Sequence, residues 1–297
     1  MKINVVVLAS YRPEYLYVAL DSLFRVRGID ECKVFLWADG FKATDPVGFG
    51  QTIRSRTLVA ASDFPVYSVV LDKERRGILG SYIPLMDLAS KDEPDYVLYL
   101  QDDIILRTDT LEYLETAVRK YNSFFYGLLE IDIKPGELVV EKKDRYGVGG
   151  FNSWGYLISP ASYRFLRSQL LAKTYLGDAW KGNRYWPSGA DLIDRTEQLS
   201  RMDDAALGSI SAQHNLAYLV PDRNYSAHFG ARGGVACLWD GDTKKVLPMP
   251  MPDCVGNFEA EIFHGDKSAW LDNLIKVYSQ RVCIPELRVF PKSFDYA

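Results

Sequence analysis

The run Tyr96-Val97-Leu98-Tyr99-Leu100-Gln101-Asp102-Asp103-Ile104 carries an apolar strand straight into an amide and two adjacent carboxylates. A strand that is apolar on both faces belongs inside a parallel sheet. In open sheets of that kind ligands collect beyond the carboxyl ends of the strands, so Asp102 and Asp103 fall where a site forms. Two neighbouring acids repel each other and favour a cation beside them. Magnesium or manganese takes hard oxygen ligands, through one or two carboxylates together with substrate phosphates. The blander reading is a polar turn that closes a strand, where paired acids are common.

Upstream, strand-like and helix-like segments alternate, which is the pattern of βαβ units on a parallel sheet. Ile3 to Ala9 is continuously apolar and rich in valine. Pro13 opens a helix, where its missing N–H costs nothing, and Leu16, Ala19, Leu20 and Leu23 share one face. Strands follow at Val34 to Ala38 and Val66 to Leu71, with a polar stretch between them, and a helix from about Ile78 to Ala89 leads into Tyr96. Four parallel strands are therefore expected in the first hundred residues or so.

Downstream the pattern changes to α+β. Asp109-Thr110-Leu111-Glu112 has the form of a capping box ahead of an apolar stripe at Leu111, Leu114, Val118 and Tyr121. Strand-like runs at Phe124 to Ile131 and Gly155 to Ile158 bracket a loop around Lys134-Pro135-Gly136, and Pro160 starts a helix through Leu171. The segment Thr174 to Gly189 is dense in Trp, Tyr, Gly and charge without periodicity, and reads as a long functional loop or lid. Glu197 to Ala212 reads as helix, Leu216 to Val220 and Asn224 to Phe229 as strands. The proline-bearing tail after Gly234 reads as a wrapping extension ending in a helix over Ser268 to Tyr278.

The composition, 47% hydrophobic and 25% charged over 297 residues, is ordinary for a globular chain. A net charge of -4 supplies no global basic field to hold a polyanion. No stretch approaches the roughly 20 apolar residues of a membrane helix. Ile3 to Ala9 is short, and Arg12-Pro13-Glu14 follows too soon for a signal peptide. Cys32, Cys237, Cys254 and Cys283 lie far apart with no C-x-x-C spacing, so neither a zinc site nor a disulfide framework is indicated. A soluble, cytoplasmic protein is expected.

Three segments together carry a resemblance. Val5-Val6-Val7-Leu8-Ala9-Ser10-Tyr11-Arg12-Pro13, Phe35-Leu36-Trp37-Ala38-Asp39-Gly40 and Tyr99-Leu100-Gln101-Asp102-Asp103 resemble, in order and spacing, the nucleotide-binding half of GT-A glycosyltransferases. The resemblance implies an α/β, Rossmann-like nucleotide-diphospho-sugar transferase fold with a mixed central sheet over residues 1–234. Residues 1–105 would form the nucleotide-binding half, 106–234 the acceptor-binding half and 235–297 a C-terminal extension. It further implies that Ala9, Ser10, Tyr11 and Arg12 line the nucleotide pocket, that Asp39 meets the base, and that Asp103 is the principal ligand of Mn2+ or Mg2+. Gln101 stands at the first position of the family's acid-x-acid motif. With Asp102 and Asp103 it resembles the Glu-Asp-Asp of the N-acetylglucosaminyltransferase I family with its first acid made neutral.

The second half is similar to the same family. Phe151-Asn152-Ser153-Trp154-Gly155-Tyr156-Leu157-Ile158 resembles its aromatic-Gly-aromatic strand, which implies that Trp154 and Gly155 face the acceptor; an aromatic core strand is the plainer reading. Arg201-Met202-Asp203-Asp204-Ala205 resembles the acidic pair of inverting members. A carboxylate there accepts the proton of an attacking hydroxyl, with Asp204 chosen and Asp203 second; the competing reading is a pair of first-turn acids favoured by the helix dipole. His228 and Arg232, in Tyr225-Ser226-Ala227-His228-Phe229-Gly230-Ala231-Arg232-Gly233-Gly234, resemble the loop over the diphosphate, which implies metal ligation by His228 and phosphate pairing by Arg232. Arg75 and Arg76 before Gly77 have the same capacity, because guanidinium forks match phosphate oxygens and glycine lets a backbone approach.

The expectation is a transferase moving a sugar from a nucleotide-diphosphate sugar, UDP-sugar favoured, to an acceptor hydroxyl on a glycan, a protein or modified DNA. The first βα turn lacks G-x-G-x-x-G, which removes a nicotinamide dehydrogenase. A sugar nucleotidyltransferase and a non-catalytic carbohydrate-binding protein stand as the alternatives.

Overall fold

The computed structural model describes residues 1–10, 13–40, 49–73, 75–128, 133–134, 137–138, 145–147, 153, 155–173, 203–221 and 225–228. The loop or lid expected over Thr174 to Gly189, the tail after Gly234 and its helix over Ser268 to Tyr278 lie outside them.

In chain order the strands are β1 Ile3–Ala9, β2 Lys33–Ala38, β3 Ser68–Leu71, β4 Tyr96–Gln101, β5 Ile104–Leu106, β6 Phe125–Gly127, β7 Ile133–Lys134, β8 Glu137–Leu138, β9 Arg145–Gly147, β10 Tyr156–Ile158, β11 Tyr218–Val220 and β12 Ser226–His228. The helices are α1 Pro13–Leu23, α2 Phe49–Ser62, α3 Gly77–Ser90, α4 Thr110–Lys120, α5 Pro160–Leu171 and, as α6, Asp203–His214. Among the described residues one eight-stranded sheet runs in the order β3-β2-β1-β4-β10-β6-β11-β9. The first four strands are parallel. β10 then enters antiparallel between β4 and β6, β11 lies parallel to β6, and β9 closes the edge antiparallel. This is the α/β fold with a mixed central sheet that the sequence predicts.

Alternation along β1 divides the core, since successive side chains of a strand point to opposite faces. Val5, Val7 and Ala9 pack with Leu16, Leu20 and Leu23 of α1, Ala61 of α2 and Leu111 and Leu114 of α4. Val6 and Leu8 pack on the other face with Tyr82, Leu85 and Met86 of α3, Leu166 of α5 and Leu207 of α6. Both faces of β1 are covered, which is why its sequence is continuously apolar. That second layer is knitted by hydroxyls: Tyr156 donates to Tyr82 at 2.8 Å, and Tyr163 donates to Asp87 at 2.8 Å.

Two local expectations are corrected. The polar stretch between β2 and β3 contains α2, which no apolar stripe announced. The capping box at Asp109 is not formed: the helix begins there, but its carboxylate makes no cap hydrogen bond and instead receives Arg107 Nε at 2.9 Å. Glu112, the other half of the expected box, binds Arg27 through both oxygens, at 2.6 and 2.8 Å. Two buried or bidentate arginines compete for the two acids, and a charge-assisted pair outlasts a cap to a neutral N–H.

Candidate functional site

β1, β2 and β3 are laid down in one direction from the centre, and the chain then returns to place β4 on the other side of β1. Beyond the carboxyl ends of β1 and β4 the sheet therefore has a topological switch point, where open α/β sheets form their binding crevice. Each strand end is extended by one further ladder bond from an acidic residue. Asp39 N–H donates to Ala9 O at 2.9 Å, Asp72 N–H to Ala38 O at 2.9 Å, and Asp102 N–H to Leu8 O at 3.0 Å. Asp72, Asp39 and Asp102 thus form a row along one edge of the sheet, with Ser10 between the last two.

At the switch point itself Ser10 N–H donates to Asp102 Oδ2 at 2.8 Å, tying the turn after β1 to the turn after β4. Asp102 and Asp103 are 2% and 4% exposed, so both carboxylates are withdrawn from bulk water, where burial of charge demands partners. Gln101 closes β4, and its amide reaches back to the Tyr99 hydroxyl at 3.5 Å. Directly after Asp103, β5 pairs with β12, and His228 is the register partner of Ile104. The backbone of His228 is therefore brought opposite the residue that follows Asp103, although 124 positions of sequence (228 − 104) separate the two.

Asp39 is engaged differently. Its Oδ1 accepts from Gly40 N–H at 2.9 Å, Arg76 N–H at 2.8 Å and Ser81 Oγ at 3.2 Å, and its Oδ2 from Gly77 N–H at 3.0 Å. It caps α3 from a neighbouring strand, supplying the carboxylate that the first turn of a helix favours. Gly77, at φ +73°, gives the chain the left-handed step that opens this helix. Arg76 Nε lies 2.8 Å from Asp72 Oδ2, which also accepts from Trp37 Nε1 at 3.0 Å.

Of the other expected residues, Ala9 ends β1 at the switch point and is buried. Gly155 has φ +152°, and a Cβ there would stand 3.0 Å from Leu128 Cδ1 and 3.5 Å from Leu100 Cδ2. Its absent side chain leaves room for Leu128 and Leu100. Asp203 and Asp204 open α6, which packs against α3 and α5. Tyr11, Arg12, Trp154 and Arg232 lie outside the described residues. Among the described residues no group of three or more His, Cys, Asp and Glu side chains is gathered to hold a metal alone. Mg2+ and Mn2+ at nucleotide sites complete their shells with phosphates and water, so two buried carboxylates are a fitting protein share. Asp72 was not anticipated, although it follows the third strand just as Asp102 follows the fourth.

The class the fold defines is an α/β protein with a topological switch point at the carboxyl edge of a mixed sheet. No family model and no curated protein sequence matches the chain. Among solved structures it is similar to S. aureus TarS 1-349 in complex with UDP-GlcNAc, at 16% identity and TM-score 0.46 over 76% of this chain and 58% of that one. The galactosyltransferase LgtC in complex with donor and acceptor sugar analogs is similar at 14% identity and TM-score 0.45, over 95% of this chain and 98% of that one. The mannosyltransferase PcManGT from Pyrobaculum calidifontis, in complex with GDP-Man and Mn2+, follows at 13% and 0.42, over 72% and 74%. The chain thus spans under two thirds of the TarS fragment it resembles.

Proposed function

We propose that the chain is a glycosyltransferase that moves a sugar from a nucleotide-diphosphate sugar, UDP-sugar favoured, to an acceptor hydroxyl, with inversion and with a divalent cation. The observation that supports it is the row of acids at the switch point, with Asp102 locked to Ser10 N–H and Asp103 buried beside it. Asp103 is the metal ligand in this reading and His228 its partner, favoured by the pairing of β12 with β5. The cation, when bound, offsets negative charge on the diphosphate. Asp204 accepts the acceptor's proton as its oxygen bonds to the anomeric carbon and the bond from that carbon to the diphosphate breaks. Asp203 is the second choice for that base. Ala9, Ser10, Tyr11, Arg12, Asp39, Arg76, Gly77, Gln101, Asp102 and Arg232 serve the donor, and Trp154 and Gly155 the acceptor.

A thermal-shift screen of UDP-, GDP-, dTDP- and CDP-sugars with and without manganese tests this directly, because a ligand that binds the native state raises its apparent stability. A rise that needs both nucleotide and manganese is expected, and no rise with any of them overturns the reading. Asp103→Ala is expected to abolish the manganese-dependent part of the rise. Asp204→Asn is expected to keep donor binding while transfer falls by about 10²–10⁴-fold, the usual weight of a general base. A sugar nucleotidyltransferase would instead require pyrophosphate or a nucleoside triphosphate, and a carbohydrate-binding protein would release no nucleotide from the donor.

A further inference from the structure

Asp72 stands in the row of acids at the sheet edge, after β3, and has no role in the proposal above. Its carboxylate joins two neighbours, Trp37 Nε1 at 3.0 Å and Arg76 Nε at 2.8 Å. Its carbonyl accepts from Arg54 Nη1 at 3.1 Å, which pins the end of β3 from α2. The Asp72 side chain is 11% exposed, whereas that of Arg76 is 53% exposed. Arg76 also lies over the Trp37 ring, 6.0 Å from its centre, and its backbone N–H is held by Asp39. Two carboxylates from adjacent strand ends therefore fix both the backbone and the side chain of one arginine. The pair engages Nε, so the half-exposed guanidinium is oriented without being consumed. A preset planar fork loses less freedom on meeting an oxygen ligand than a loose one does.

We propose that Asp72 is a positioning residue for nucleotide binding: it aims the Arg76 guanidinium at the nucleoside diphosphate of the donor, with Trp37 as the floor beneath them. This rests on the nucleotide-sugar reading above. Asp72 touches no ligand itself, and the whole of its effect on affinity passes through Arg76.

The test is calorimetric titration of the full chain with UDP, GDP, dTDP and CDP in the presence of manganese. For whichever nucleotide the wild type binds, Asp72→Asn weakens binding about tenfold, the weight of one charge-assisted hydrogen bond. Arg76→Ala weakens it at least as much, and the double variant no more than Arg76→Ala alone. A general loosening of the fold would add to the arginine's loss rather than vanish behind it, so non-additivity marks a shared path. Wild-type affinity in Asp72→Asn, or losses that multiply in the double variant, overturn the proposal. Should Asp72→Asn fail to fold, Arg76→Lys decides: it keeps the charge without the Nε fork, so about tenfold weaker binding supports the proposal and normal binding overturns it. If the wild type binds none of the four nucleotides, the nucleotide-sugar reading itself falls, a result distinct from any difference between variants.

Discussion

Asp39 shows how one carboxylate can organise an edge. With four donors from Gly40, Arg76, Gly77 and Ser81, it is the cap that α3 lacks locally, since Arg76 at the N-cap position makes no side-chain cap bond. Asp39→Ala is expected to destabilise the protein by ~1–2 kcal/mol, seen as a lower melting temperature without nucleotide. An unchanged melting temperature would mean that α3 does not depend on this cap. Cys32 offers a second check. Burial, and then the charges of Glu31 and Asp30, push its thiol up to about 11. At pH 8 about one thiol in a thousand is then the reactive thiolate, so alkylation of Cys32 in the folded protein should be far slower than after denaturation, as read by mass spectrometry of the modified peptide. The acids after β2 and β4 were legible because a strand end is visible as the place where an apolar run stops. What each acid holds was not: three of the four donors to Asp39, from Arg76, Gly77 and Ser81, lie about forty residues later in the chain, and local sequence carries no record of such pairings.

At the level of elements, the strands of the first half were readable because both faces are buried and the runs are long. α2 escaped because its inward positions Thr57, Ala60 and Ala61 are small, while the larger Leu58 and Val59 are 47% and 40% exposed. Close approach to α1, rather than a stripe of large apolar residues, holds it in place. The second half hid more, because three-residue strands give periodicity too little length to register. Gly127 at the end of β6 is one such hidden constraint: a Cβ there would enter the phenol ring of Tyr218 on the neighbouring strand β11. Gly127→Ala is expected to cost about 1–3 kcal/mol by overpacking, measured by urea denaturation. Restoration of stability in Gly127→Ala combined with Tyr218→Phe is not expected, since the ring itself and not only its hydroxyl occupies the space.

At the scale of the molecule, exposed ion pairs brace distant parts of the chain, and two of them bear on its response to acid. Lys33 on β2 holds Asp92 after α3, and Arg27 after α1 holds Glu112 on α4. Hydrogen bonding from Lys33 and Arg27 sets Asp92 and Glu112 below the ordinary carboxylate range. Groups depressed in the folded state contribute stability that is complete above their unfolded pKa and is lost as pH falls through the folded one. Removing both carboxylates, as Asp92→Asn with Glu112→Gln, should therefore flatten the fall in melting temperature below about pH 4 and leave its course above neutrality nearly unchanged. Salt should shrink the difference, because both pairs face solvent.

The antiparallel seat of β10 against β4 also bears on how the chain emerges during synthesis. The four parallel strands are complete at Gln101, but the free border of β4 is sealed only when Tyr156–Ile158 arrives. In that interval a nascent chain presents a bare, apolar hydrogen-bonding rim, the kind that templates pairing between molecules. Chains terminated between those points should clump or require a holding chaperone, whereas chains extended past Ile158 should not.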